Sequence, residues 1–175
     1  MSLIDTTISG VKLVPLKRIQ DSRGVFFEAF RESWVGTDRR WVQWNFSRSV
    51  AGVVRGLHFH RQQSDYWLVT EGRLVAALVD VRKQSPTCRV ALCVELDAAD
   101  PRALIIPPGV LHGYRALTDV TVMYLLDREY DASDENGVRW DDPDLGLPQA
   151  WYQGQPPVLS ARDANAPRLA DVQTC

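Results

Sequence analysis

Paired cysteines, basic runs and long apolar runs are all missing from this 175-residue sequence. Its three cysteines, Cys88, Cys93 and Cys175, are odd in number and lack the paired spacing of a zinc site, which favours a reducing compartment. No run of about 18 apolar residues occurs, and the N-terminus lacks the basic and apolar regions of a secretory signal. We therefore expect a cytoplasmic protein without a membrane span.

Excess charge of either sign is also missing, since the formal net charge is −2. Without a basic run, binding to nucleic acid through bulk electrostatics is not expected. The hydrophobic fraction of 45% and the charged fraction of 24% are ordinary for a globular protein. Because a domain usually has about 100–200 residues, we predict one domain over residues 1–175.

Short β-like runs separated by turn signals fill the middle of the chain. In the segment at 73–82, Val75, Ala77, Val79 and Val81 alternate, which predicts a strand with one buried face. Many short strands at regular spacing predict a β-sandwich or barrel. The proline-rich tail, about residues 144–175, predicts an irregular segment with one or two helical turns that wraps the barrel. The predicted strands are Val11–Ile19, Val25–Phe30, Trp41–Ser49, Tyr66–Thr70, Arg73–Val81, Arg89–Glu95, Ala103–Ile106, Gly113–Leu117 and Val120–Leu126.

The three histidines of the chain stand at positions that could act together. His58 and His60 are two residues apart, so on a strand their side chains share one face. With Gly52, Asp65 and Gly72, their spacing resembles the first motif of the cupin β-barrels, and Pro107, Gly109 and His112 resemble the second. This resemblance implies an all-β cupin jelly-roll barrel.

The residue types leave three interpretations of this cluster open. His58, His60, Asp65 and His112 could bind a divalent metal, because imidazole and carboxylate suit zinc, iron, manganese or nickel. A histidine could instead act as a base, or the pair could be ordinary strand residues. Asp65 could also simply pair with a neighbouring charge such as Arg61 or Arg73.

The blocks around these residues resemble one enzyme family over about residues 5–170. They are D-S-R-G-V-F-F-E-A-F at 21–30, Q-W-N-F-S-R-S at 43–49, G-V-V-R-G-L-H-F at 52–59, D-V-R-K-Q-S-P-T at 80–87, I-P-P-G-V-L-H-G-Y at 106–114, E-N-G-V-R-W-D-D-P at 135–143 and V-L-S-A-R-D at 158–163. In this order they resemble the dTDP-4-dehydrorhamnose 3,5-epimerase family. The resemblance implies a homodimeric cupin that acts on a nucleoside-diphosphate 4-keto-6-deoxy sugar, expected to be dTDP-linked, without a metal or other cofactor.

The same resemblance implies the roles of individual residues. His58 would be the general base and Asp163 its dyad partner, while Arg23 and Arg55 would hold the diphosphate. Arg23 would reach the site of the neighbouring subunit. The other residues implied to bind substrate are Phe26, Glu28, Gln43, Asn45, His112, Tyr130, Glu135 and Arg162. His60 departs from the family pattern but is also expected to bind substrate, because its ring could donate to the enolate oxygen.

The chemistry of these residue types fits proton abstraction beside a ketone. Histidine exchanges protons near neutral pH, and an aspartate on its other ring nitrogen fixes the tautomer and supports the imidazolium. The planar guanidinium of arginine matches the oxygens of a diphosphate.

Three positions depart from the family pattern. His60 replaces a glutamine, Trp67 stands where a lysine would steady the enolate, and Leu125 aligns with the acidic tyrosine. Tyr124 is one residue away and is expected on the opposite strand face unless a β-bulge intervenes. The missing tyrosine favours epimerisation at one site, such as C3 alone, or a different nucleotide sugar, over the double reaction. The departures also keep open a metal-dependent isomerase or dioxygenase and a non-catalytic sugar-nucleotide binder.

Overall fold

The computed structural model describes residues 2–36 and 40–174, and almost all of its regular structure is β-strand. The two short α-helices are α1 (Glu32–Val35) and α2 (Ala161–Ala164). The strands are β1 (Ile4–Asp5), β2 (Lys12–Pro15), β3 (Ile19–Asp21), β4 (Gly24–Phe26), β5 (Gln43–Ser49), β6 (Val54–Phe59), β7 (Asp65–Glu71), β8 (Arg73–Asp80), β9 (Ala91–Asp97), β10 (Arg102–Ile106), β11 (Val110–Ala116), β12 (Val120–Leu126) and β13 (Asn136–Gly137).

Two antiparallel sheets face each other and enclose the main core. One has the order β1-β2-β10-β7-β12-β5 and the other β13-β6-β11-β8-β9, while β3 and β4 form a separate hairpin. Strands that are distant in sequence are neighbours in both sheets, as in the pairing of β7 with β10 and β12. The predicted all-β barrel is therefore confirmed.

Strand β8 is buried on both faces, which corrects the prediction of one buried face. The predicted alternation is present: Val75, Ala77 and Val79 share one face. The other face, with Leu74 and Leu78, packs in the core between the sheets. Both faces are buried because the six-stranded sheet packs against the inner side of β8 and the C-terminal tail covers the outer side.

The C-terminal tail contains more helical segments than predicted. In addition to α2, it has 3-10 helices at Pro143–Leu145, Gln149–Tyr152 and Leu169–Asp171, where one or two helical turns were expected. Trp151 is fully buried and its indole donates a hydrogen bond to the Trp140 carbonyl. These contacts fix the tail against the five-stranded sheet and thereby position Asp163. Cys175, at the end of the tail, lies outside the described residues.

The outer face of the six-stranded sheet is partly covered by the segment that leads into β5. Phe30, Trp41 and Tyr66 meet edge to face there, with ring centroids 5.2–6.0 Å apart. In the described part of the chain, no helix is long and apolar enough to cross a membrane.

Candidate active site

A cavity of about 650 Å³ is lined by residues from both sheets and from the tail. Strands β5, β7 and β12 supply one wall, β6 and β11 supply the other, and α2 contributes at the edge. The cavity brings together most of the residues that the sequence nominated. These are Gln43, Asn45, Arg55, His58, His60, Asp65, His112, Tyr130, Glu135, Arg162 and Asp163.

His58 and Asp163 are in direct contact. The Nε2 atom of His58, on β6, lies 2.8 Å from Oδ1 of Asp163, on α2. The side chain of Ser160 caps α2 by accepting a hydrogen bond from the Asp163 backbone amide. Burial works to raise the pKa of Asp163, but the hydrogen bond and charge of His58, with Ser160, hold it below its usual value. Asp163 is therefore ionised at neutral pH and can support a charged imidazole.

A second carboxylate, Glu135, faces the other ring nitrogen of His58. Its Oε1 atom lies 3.5 Å from Nδ1. Arg162 donates to both carboxylate oxygens, at 2.7 and 2.8 Å, and the Tyr130 hydroxyl donates at 2.5 Å. Burial would raise the pKa of Glu135, but these donors lower it to about 2. Gln43 accepts a hydrogen bond from the Tyr130 amide and steadies this cluster.

The other two histidines lie together deeper in the cavity wall. His112 Nε2 is 2.9 Å from Asp65 Oδ2, and its Nδ1 is 2.9 Å from the Val110 carbonyl oxygen. Burial opposes the charged ring, but the Asp65 carboxylate and the Val110 carbonyl together hold the pKa of His112 above its usual value. Burial lowers the pKa of His60, whose ring makes no hydrogen bond with any described residue. The ring centroids of His60 and His112 are 5.7 Å apart.

The suggested four-ligand metal set is brought together only in part. One ligand atom from each of His60, Asp65 and His112 lies within 4.8 Å of the others. His58 instead pairs with Asp163. Asp65 contacts His112 and Gln63 in place of the arginines considered above, because its strand points it into the barrel.

Tyr124, and not Leu125, faces the cavity. Leu125 is fully buried in the cluster on the outer face of the six-stranded sheet, whereas Tyr124 lines the cavity wall. The two side chains do point to opposite faces, as predicted. The error was the alignment, which placed the cavity-facing position one residue too late. Burial raises the pKa of Tyr124, and its hydroxyl has no hydrogen-bond partner among the described residues.

Trp67 is part of the same wall. Trp67 is paired with Tyr124 on the neighbouring strand. Its ring meets those of His112 and Tyr114 edge to face, with centroids 5.3 and 5.8 Å apart. Arg55 lies at the exposed side of the cavity, where its Nε donates to Ser49 Oγ at 2.9 Å. Its guanidinium also donates a longer hydrogen bond to the Arg48 carbonyl oxygen.

Three nominated residues lie outside this cavity. Arg23 and Phe26 are on the exposed β3–β4 hairpin, where Arg23 pairs with Asp21 at 2.6 Å. Glu28 pairs with Arg31. Within one chain, the segment with Arg23, Phe26 and Glu28 therefore lies outside the cavity that contains His58 and Asp163.

Two useful residues were missed by the sequence reasoning. Ser160 precedes Asp163 by three positions, and this S-x-x-D spacing is a helix-capping signal that could have revealed α2. Gln63, whose amide donates to Asp65 at 2.8 Å, carries no comparable signal, because its contact depends on the turn between β6 and β7.

An antiparallel two-sheet barrel with a His–Asp dyad in its cavity defines a cupin-like protein equipped for proton transfer. The sequence model of the dTDP-4-dehydrorhamnose 3,5-epimerase family matches residues 5–171. The chain belongs to this family, whose members are isomerases.

Individual relatives agree with the family match. The dTDP-4-dehydrorhamnose 3,5-epimerase of Salmonella typhimurium is 36% identical, over 97% of this chain and 96% of its own. The fold resembles a 3,5-epimerase from Legionella pneumophila, solved in complex with dTDP-4-keto-L-rhamnose (TM-score 0.91, 34% identity, 98% and 94% coverage). It also resembles ChmJ, a 3'-monoepimerase from Streptomyces bikiniensis, solved with dTDP-quinovose (TM-score 0.89, 32% identity, 95% and 87% coverage).

Proposed function

We propose that this protein epimerises a dTDP-linked 4-keto-6-deoxy sugar by removing a proton from a carbon beside the ketone. The observation that carries the proposal is the 2.8 Å contact between His58 and Asp163 inside the cavity. Family membership and the dTDP-sugar complexes of the relatives supply the substrate class.

The two ring nitrogens of His58 have different tasks in this proposal. Asp163 accepts the Nε2 hydrogen, which leaves the lone pair on Nδ1 to remove the carbon-bound proton. The electrons of the broken C–H bond pass into the enolate, and the new imidazolium is supported by Asp163. The proton transfer itself requires no cofactor.

Tyr124 is our candidate for the acid that returns a proton to the opposite face of the sugar. Its hydroxyl is protonated at neutral pH, as in an ordinary tyrosine, and burial raises its pKa further; no protein group among the described residues hydrogen-bonds to it. A tyrosine in the cavity removes the main sequence argument against epimerisation at both carbons. His60 and His112 line the same wall and are proposed to contact the sugar.

Incubation with dTDP-4-keto-6-deoxyglucose in D₂O, followed by proton NMR, tests this function and its extent. Loss of the C3 proton signal with inversion at C3 is expected, and loss of the C5 signal as well would indicate the double reaction. If neither carbon exchanges above the level of enzyme-free solution, the protein is not an epimerase of this sugar.

The nucleotide end of the substrate is proposed to need two chains. Arg55 lies at the exposed side of the cavity, while Arg23 is 88% exposed on a hairpin away from it. Strand β5 forms an edge of its sheet and exposes Trp44 and Phe46, at 57% and 68%. An open strand edge with aromatic side chains is suited to pairing with a second copy. We therefore propose a homodimer in which Arg23 completes the partner's site.

We further propose that residues 1–175 act as one domain in the cytoplasm. The cavity draws its lining from residue 43 to residue 163, so the site is built by strands and tail that fold together as one unit.

A further inference from the structure

We propose that Arg115 is a positioning residue for the His58–Asp163 dyad and acts on it from outside the cavity. Arg115 lies on β11 directly after Tyr114, so the two side chains point to opposite faces of the five-stranded sheet. Tyr114 lines the cavity, whereas Arg115 lies on the outer side, under the tail. The inference rests on the proposed epimerase function, because it concerns the same dyad.

Arg115 is buried with few partners for its charge. Only 3% of its surface is exposed, and its Nε atom has no hydrogen-bond partner among the described residues. Its Nη1 atom donates to the Gln155 carbonyl oxygen at 3.0 Å, and the guanidinium lies 5.6 Å from the centre of the Trp140 ring. A buried charge with so few partners is costly, and an apolar side chain of similar volume often gives equal or greater stability. Stability alone therefore does not account for Arg115, whereas its contact with the tail can.

The contact with Gln155 fixes the segment that leads to Asp163, residues 154–160, which we call the dyad strap. No other hydrogen bond from the described part of the chain holds the first four residues of the strap. Two consecutive prolines follow Gln155, and their fixed φ angles make this part of the strap stiff. A displacement of Gln155 is therefore passed on along the strap instead of being absorbed.

The other end of the dyad strap is joined both to the barrel and to α2. The Val158 amide donates to the Gly52 carbonyl oxygen, and the Val158 carbonyl accepts from the Val54 amide, both at 3.0 Å. Ser160 then caps α2 by accepting a hydrogen bond from the Asp163 amide at 3.0 Å. Val158 and Ser160 also line the cavity, so the strap is part of its wall. The position of the strap therefore determines how the Asp163 carboxylate meets the base.

Arg115→Met tests the proposal, because it removes the contact with Gln155 and keeps a long apolar side chain in its place. We expect the free energy of unfolding in urea to stay the same or rise. The kcat of deuterium uptake into dTDP-4-keto-6-deoxyglucose should fall by about 10–100-fold, because a misplacement of about 1 Å can cost about 100-fold in rate. KM should hardly change, since the strands that line the cavity are left in place. A purely structural residue would show lower stability with an unchanged kcat.

The loss should disappear when the dyad is already broken. Adding Arg115→Met to Asp163→Ala should lower kcat no further, because the strap then has no carboxylate to position. Arg102→Met is the matched control, because Arg102 also donates to a backbone carbonyl, that of Glu95, but from β10 in the other sheet. This control should keep the wild-type kcat.

A wild-type kcat in Arg115→Met would overturn the role of Arg115 and leave the epimerase function intact. So would an equal further loss of kcat in the Asp163→Ala background. Absence of deuterium uptake by the wild type would instead reject the function, and the role of Arg115 with it. If circular dichroism shows that Arg115→Met does not fold, Arg115→Leu, which also removes the contact, is measured in the same way.

Discussion

His58 lies between two carboxylates whose surroundings give them different tasks. Asp163 contacts Nε2 directly and forms no ion pair with an arginine in the described part of the chain, so its charge is available to an imidazolium. Glu135 is held by Arg162 on both oxygens and by Tyr130, so its charge is largely balanced before any substrate arrives. With its pKa held at about 2, Glu135 is a poor base, which leaves His58 as the proton acceptor.

Tyr124→Phe should separate proton removal from inversion. Without the hydroxyl, His58 can still remove the proton and return it to the same face, so deuterium exchange continues while inversion falls. We expect inversion to drop by about 100-fold or more, as is usual when a general acid is lost. Parallel measurement of deuterium content and product configuration gives the ratio of the two rates.

Tyr152→Phe is the matched control for this prediction. Tyr152 packs beside Trp140 in the tail, away from the cavity lining, so its variant should keep both rates. If Tyr124→Phe changes exchange and inversion by the same factor, Tyr124 is not the acid that acts on the second face.

At the scale of the element, the turn after β8 depends on one buried carboxylate. Asp80 is fully buried and accepts hydrogen bonds from Arg82, Ser85 and Thr87, which explains the D-V-R-K-Q-S-P-T block structurally. Burial would raise the pKa of Asp80, but these donors lower it from 3.8 to about 2. The folded state therefore favours the ionised form, and that stabilisation is present above about pH 4 and disappears toward pH 2.

Asp80→Asn should accordingly reduce the free energy of unfolding by about 2 kcal/mol at neutral pH. The difference from wild type should shrink as the pH falls from about 4 to 2, because the wild-type carboxylate becomes protonated there. Urea unfolding at several pH values measures this. Asp97→Asn is the control, because Asp97 is only half-buried at the end of β9 and accepts one hydrogen bond, from the Ala99 amide. A constant difference across the pH range would contradict the role of the Asp80 charge.

The turn between β7 and β8 requires glycine for two reasons. Gly72 has φ of +73°, and an added Cβ would lie 1.9 Å from the Asp119 carbonyl oxygen. Gly146 has a similar φ of +62° but open space around it. We expect Gly146→Ala to cost about 1 kcal/mol from backbone strain alone. Gly72→Ala should cost about 1–3 kcal/mol more because of the overlap. Equal costs in urea unfolding would show that the neighbouring turn yields freely.

The elements that sequence predicted well are those with strict alternation and clear turns. Val120–Leu126 is a strand with the predicted bounds, and alternation placed Val75 and Val79 on one face. Burial of the second face of β8, with Leu74 and Leu78, was not predictable from alternation, because a strand that is covered on one side by the other sheet and on the other side by the tail is apolar on both faces. Strand β6, which carries His58, was absent from the predicted strands, since its R-G-L-H-F stretch lacks a clean polar and apolar alternation.

At the scale of the whole molecule, the resemblance placed most of the cavity lining but not its geometry. His58 and Asp163 are 105 residues apart and their contact followed only from the family pattern. The one-residue error at Tyr124 arose because alignment through the preceding turn cannot fix strand register, and one step reverses the face. The pairing of His112 with Asp65 depends on β11 and β7, which belong to different sheets, facing each other across the barrel, and no local spacing encodes that.

If Arg23 completes the partner's site, two inactive variants should restore activity when mixed. In a dimer of one His58→Ala chain and one Arg23→Ala chain, one site would keep both residues intact. Random mixing would then give about a quarter of the wild-type activity, because half of the dimers are mixed and each has one working site. Light scattering measures the dimer, and co-refolding ensures exchange of chains.

The control mixture contains an Arg73→Ala chain in place of the Arg23→Ala chain. Arg73 also forms an exposed ion pair, with Glu95, but it does not line the cavity. This variant should be active on its own. An Arg23→Ala chain that is fully active alone, or a mixture no more active than its components, would place Arg23 outside the partner's site.

The decisive test of His58 as the base is the rate of deuterium uptake into dTDP-4-keto-6-deoxyglucose, measured by mass spectrometry for wild type and His58→Ala. We expect rapid uptake by the wild type and a rate about 100–10,000-fold lower in the variant, with dTDP binding retained. Equal uptake by the two proteins, at equal nucleotide binding, would contradict the assignment of His58 as the base.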